Sequence, residues 1–143
     1  MTLKLLASSA LALVIGFATV PAYAGGVSIT QWGWGNTAGG QQAGWNNTIG
    51  VHQNGWWNGA VAQQNGHGNT AAIGQTGVGN YANTWQHGNF NAAGVGQFGS
   101  GHNAIVTQDG NGNVAAGVQV GHGCNANVVQ AGGGNVAAFV QAC

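Results

Sequence analysis

The sequence predicts an all-β protein: a β-solenoid of about five two-strand rungs forming two parallel, in-register, amyloid-like sheets. Three observations carry this expectation. Glutamine recurs at Gln31, Gln42, Gln53, Gln64, Gln75, Gln86, Gln97, Gln108, Gln119, Gln130 and Gln141, always 11 residues apart. Between successive glutamines, alternate positions hold residues of one kind, the period-two signature of a strand. Glycine returns at a fixed offset after each glutamine, where a chain must turn. A period held in phase over ten units marks a repeat architecture rather than simple low complexity.

Residues 1–24 stand apart from this pattern. Lys4 supplies one positive charge, Leu5 to Thr19 is apolar, and Ala22-Tyr23-Ala24 follows the breaker Pro21. This is the layout of a secretory signal peptide cleaved after Ala24. The apolar stretch is shorter than the ~18 residues of a membrane span, so an uncleaved anchor is the weaker alternative and the protein is not expected to be membrane-integral. Residues 25–30 then form a short N-terminal segment. Residues 31–143 form the repeat domain, ten 11-residue units with a two-residue C-terminal tail.

Each unit divides into a strand and a turn. With each glutamine as position zero, position two is glycine in all ten units: Gly33, Gly44, Gly55, Gly66, Gly77, Gly88, Gly99, Gly110, Gly121 and Gly132. Positions one to four therefore read as the turn. Position five is asparagine in eight units, Asn36, Asn47, Asn58, Asn69, Asn80, Asn91, Asn113 and Asn135, with His102 and Cys124 in the other two. Position seven is alanine in nine units and Ile49 in the tenth. Positions five, seven, nine and eleven would share one face of a strand, while six, eight and ten vary as a solvent face does. Two units fold into one rung, and five rungs stack to about 24 Å at a spacing near 4.8 Å. A buried lone amide costs about 1–3 kcal/mol. Identical stacked amides bond the rungs above and below instead, so the glutamines and asparagines are expected to form inter-rung ladders. A helical repeat fails, because glycine at two or more of every 11 positions would cost about 1 kcal/mol each.

Composition narrows function. After residue 24, Asp109 is the only charged side chain, whereas globular domains average about 25%. Nucleic acid is excluded as a partner, since no cation is present to neutralise phosphate. With one carboxylate and no Lys or Arg there is no acid–base pair and no anion clamp, so the chain is not expected to be an enzyme and no cofactor is implied. An uncharged surface also has little colloidal repulsion and tends to associate.

The unit Gln-x-Gly-x-Gly-Asn-x-Ala-x-x-x-Gln resembles the curlin repeat of bacterial curli subunits, as in Gln64 to Gln75 and Gln130 to Gln141. The resemblance runs from Gln31 to Gln141. It implies a structural subunit, of major-subunit type, of extracellular functional amyloid fibres that serve biofilm matrix and cell adhesion as a fimbrium or pilus does. It also implies a nucleator subunit, a periplasmic chaperone and an outer-membrane export channel as partners, with the fibre at the bacterial cell surface. The segment ahead of the repeats is shorter than the one curli subunits usually carry, and charged residues are sparser. A minor, nucleating subunit is the alternative within the family.

Other features bear on assembly. Terminal rungs without polar caps expose open strand edges of matching register, and head-to-tail stacking of such edges gives a homopolymeric filament. In the even-numbered units from the fourth onward, the outward positions are small or apolar. Val114 would lie beside Val136 and Val118 beside Val140, a flat patch suited to lateral contact between protofilaments. Cys124 and Cys143 are the only cysteines, and a disulfide between them weighs evenly against free or intermolecular thiols. Trp34 and Trp56 would stack on one side as an aromatic ladder, with turn stabilisation favoured over glycan binding. His52, His67, His87, His102 and His122 fall at scattered positions and form no column that suits a metal. Outside the family, outward Thr37, Thr48, Thr70 and Thr107 raise an ice-binding solenoid, but the array is broken. An adhesive β-solenoid that stays monomeric is the other rival.

Overall fold

In a computed structural model that describes residues 25–143, every 11-residue unit contributes one strand. The strands are β1 (Val27–Trp34), β2 (Thr37–Trp45), β3 (Thr48–Trp56), β4 (Gly59–His67), β5 (Thr70–Val78), β6 (Tyr81–Asn89), β7 (Ala92–Ser100), β8 (Asn103–Asn111), β9 (Val114–His122), β10 (Asn125–Gly133) and β11 (Val136–Ala142). The odd-numbered strands form one six-stranded sheet and the even-numbered strands a five-stranded sheet. All pairings are parallel, and residues 22 apart face each other: Gln53 pairs with Gln75 and Gln64 with Gln86. The chain is therefore a β-solenoid of about five turns, with no helix among the described residues. The proposed signal peptide lies outside the described residues.

The core is the thin layer between the two sheets. Position seven supplies alanines such as Ala60, Ala71, Ala82 and Ala104, and position nine supplies Val51, Ile73, Val95 and Val106. The small side chains follow from the geometry, because two sheets joined by arcs of a few residues approach closely. Gln53, Gln75 and Gln97 with Asn58 and Asn80 close the layer along one line of arcs, and Gln64, Gln86 and Gln108 with Asn47 and Asn69 close it along the other, all buried.

Two details differ from the sequence reading. Strands run from position six through position three of the next unit, so the glutamines and position-two glycines lie inside the ladders rather than at strand ends. The position-two glycines bend the strand at φ between 98° and 131°. A β-carbon on Gly55 would collide with the carbonyl of Gly77 one rung on. Only glycine allows that approach, and it lets hydrogen bonding continue through the bend. The tip of each arc sits at positions four and five. Position four is left-handed in every unit, including the non-glycine residues Asn46, Trp57 and Phe90. The second detail is β1, which takes in Val27 to Thr30 ahead of the first glutamine. Val27 pairs with Ile49 and Ile29 with Val51. Neither the glutamine nor the asparagine of the motif precedes them, so periodicity alone passed them by.

Candidate functional site: two glutamine columns and the arc asparagines

A parallel in-register stack places each glutamine above its equivalent. Its amide carries a donor and an acceptor on opposite sides, so a column of them bonds itself. One column runs Gln31, Gln53, Gln75, Gln97, Gln119, Gln141, each Nε2 donating to the next Oε1 at 2.7–2.8 Å. The other runs Gln42, Gln64, Gln86, Gln108, Gln130 at 2.7–3.0 Å. Nε2 also crosses the core to a backbone carbonyl of the opposite sheet. Gln53 donates to Thr37 O at 3.0 Å and Gln97 to Tyr81 O at 2.9 Å. Each buried amide thus ties rung to rung and sheet to sheet, and the crossing bond was not legible from spacing.

The asparagines act on the backbone of the arcs. Asn69 donates through its backbone N and its Nδ2 to Asn47 Oδ1, at 3.0 and 3.1 Å. Nδ2 of Asn69 also donates to Gly88 O at 2.8 Å, a bond that spans 19 residues. The same 19-residue contact recurs from Asn36 to Gly55, Asn58 to Gly77, Asn80 to Gly99, Asn91 to Gly110 and Asn113 to Gly132. Asparagine suits the place because its short amide satisfies arc groups that no neighbouring strand reaches.

The two exceptions keep the geometry with other chemistry. His102 is 1% exposed. Its Nδ1 accepts from Cys124 N at 3.1 Å and its Nε2 lies 3.2 Å from Phe98 O, so the ring stands in for acceptor and donor at once. Cys124 is bonded to Cys143, with a Cα–Cα distance of 5.6 Å and a separation of 19 residues. That separation is the one the asparagine-to-glycine bonds span. The disulfide replaces one of those bonds covalently.

The outer surface carries the remaining candidates. Val114 pairs with Val136 and Val118 with Val140 on the outside of the odd sheet. Ala72, Gly94 and Ala116 continue the same face as a shallow apolar groove. Trp34 and Trp56 are register partners and both are exposed. The rings of Trp57 and Phe90 fold back over Gly35 and Gly68 of the preceding rung. His67 and His87 do not join in a cluster: His67 packs edge-on against Phe90, and His87 pairs with Asp109 at 3.0 Å. This exposed pair contributes little stability. Its register was readable, since both occupy position one. Among the described residues no three of His, Cys, Asp or Glu converge as metal ligands do. Outward Thr48 and Thr70 are neighbours, but Ala92 follows them. Asn89 and Asn111 form a small outward ladder at position three, with Asn89 Nδ2 donating to Asn111 Oδ1 at 3.0 Å.

A parallel two-sheet solenoid pinned by continuous amide columns defines a repeat protein of the β-solenoid class. The chain matches the family described as Curlin associated repeat over residues 44–77 and 77–110, each match running between position-two glycines. Its repeats are thus of the curlin-associated kind. No curated protein matches the chain.

Proposed function

We propose that this chain is a structural, major-type subunit of an extracellular curli-like amyloid fibre and that it grows by head-to-tail stacking. The observation that carries this reading is the chemistry of the two ends of each glutamine column. At the N-terminal end the outermost acceptors are Gln31 Oε1 and Gln42 Oε1, and the latter is buried with no partner among the described residues. At the C-terminal end Gln130 and Gln141 each use Nε2 toward a backbone carbonyl, leaving the second N–H of the amide directed along the column. Donors at one end and acceptors at the other complement each other, and their union repeats without closing. A nucleator subunit, a periplasmic chaperone and an outer-membrane channel belong to this reading through the family, as does secretion to the cell surface. Purified chain is expected to pass from monomer to fibres that bind thioflavin and diffract near 4.8 Å. Persistent monomer at high concentration overturns the proposal.

A further inference from the structure

We propose that successive subunits in the filament are related by a half-turn about its axis, so that the odd-numbered sheet of one copy continues as the even-numbered sheet of the next. The inference rests on the assembly proposed above and adds its symmetry.

The described residues form eleven strands, an odd count, with β11 the last of one sheet and β10 the last of the other. β11 stands half a rung beyond β10. Without rotation, β1 of the next copy would sit on β11, and the strand place above β10 would stay empty. Seating β2 on β10 instead would drive β1 into β11. With a half-turn, β1 of the next copy lies on β10 and β2 on β11, and both sheets run on without a vacancy.

The units themselves allow this. Both sheets are built from the same 11-residue unit with the same bonds: Gln53 in one sheet and Gln64 in the other donate to the carbonyl 16 residues earlier, each at 3.0 Å. Each unit is thus related to the next by a half-turn already, and the junction repeats the internal rule. Under the half-turn Gln130 meets Gln31 of the next copy and Gln141 meets its Gln42. The buried, partnerless Gln42 Oε1 gains the donor that its column supplies everywhere else.

Side-chain volume agrees. Phe139 is the largest residue at position nine, and its ring fills the space that a β-carbon on Gly117 would need. The half-turn sets Gly40 of the next copy, the other glycine at position nine, over this ring. Without rotation the neighbour would be Ile29.

Outward positions give the test. Val129 in β10 and Val140 in β11 occupy the same place in the unit as Thr30 in β1. Filaments of a T30C/V129C chain, with the native disulfide intact, are expected to form covalent ladders with a short bifunctional thiol reagent, while T30C/V140C filaments stay uncrosslinked. Electron cryomicroscopy of parent filaments is expected to give a rotation near 180° per subunit and a rise of about 26 Å, eleven strands shared by two sheets at about 4.8 Å. Crosslinking through Val140 alone, or a rotation far from a half-turn, overturns the inference while leaving assembly standing. If neither variant crosslinks, the measured rotation decides. Failure to form filaments at all strikes the assembly reading instead.

Discussion

Thr84 sits at position nine, where the other rungs bring Val, Ile, Ala, Gly or Phe, and it is fully buried. Its register neighbours are Ala62 and Val106. The hydroxyl finds no hydrogen-bond partner among the described residues. Burying a hydroxyl without a partner costs about 1–3 kcal/mol in proteins. Valine has the same shape and matches the column. Thr84→Val is therefore expected to stabilise the fold by about 1 kcal/mol, read as a higher urea midpoint with an unchanged slope. A lower midpoint would show that the hydroxyl is satisfied. The inward placement of Thr84 was readable from its number in the unit. Its isolation was not, because that depends on which backbone groups the two sheets present to each other.

At the scale of the element, the arc is where sequence and structure part most. Alternation identified the inward strand positions, and the burial of Asn47, Gln53 and Ile49 follows from it. The arc, however, is not a separate turn. Its backbone stacks on the next arc as the strands do, which requires the same two positive-φ positions in each rung. Position two announces itself as invariant glycine. Position four does not, because Trp57 and Phe90 occupy it in the left-handed region. Covering a glycine of the preceding rung gives these rings contacts that offset the strain. The pairing of Cys124 with Cys143 was undecided in the sequence because the asparagine-to-carbonyl contact across 19 residues becomes visible only once the arc is built. Closing a loop of this size constrains the unfolded chain by about 3 kcal/mol in the entropic account. Replacing both cysteines by serine is expected to lower stability by up to that amount and to speed hydrogen exchange in β11. Cys124→Asn with Cys143→Ser is expected to recover part of the loss, since an amide there can donate to the carbonyl of residue 143. Equal stabilities for the two double variants would show that the arc gains nothing from the amide.

On the scale of the whole molecule, the two outer faces differ. The odd sheet presents Val114, Val118, Val136 and Val140 next to a groove of alanine and glycine. The even sheet presents Tyr81, Asn103, Thr107 and Asn125. Flat faces of small residues allow sheets to approach within about 10 Å and exclude water. Lysine at Val114 and Val136 would set like charges on adjacent rungs of the apolar face. Filaments of that variant are expected to elongate but to thin from bundles to single protofilaments in low salt, seen by electron microscopy. Bundles like the parent's would exclude this face as the lateral contact. Two sheets, parallel pairing and a 22-residue rung were all legible, because one period governs every rung. The first strand was not, since Val27 and Ile29 carry the apolar part of the unit without its amides.

The glutamine columns have one more property. In every link the nitrogen points toward the C-terminal rung and the oxygen toward the N-terminal rung, in both columns. An amide group carries a dipole of about 3.5 D, and eleven such groups share one sense along each subunit. A rotation about the long axis leaves that component unchanged, so the vectors of successive copies add. The glutamine contribution to a filament's axial moment therefore grows with its length, opposed by the arc asparagines, whose Oδ1 points toward the C-terminal rung.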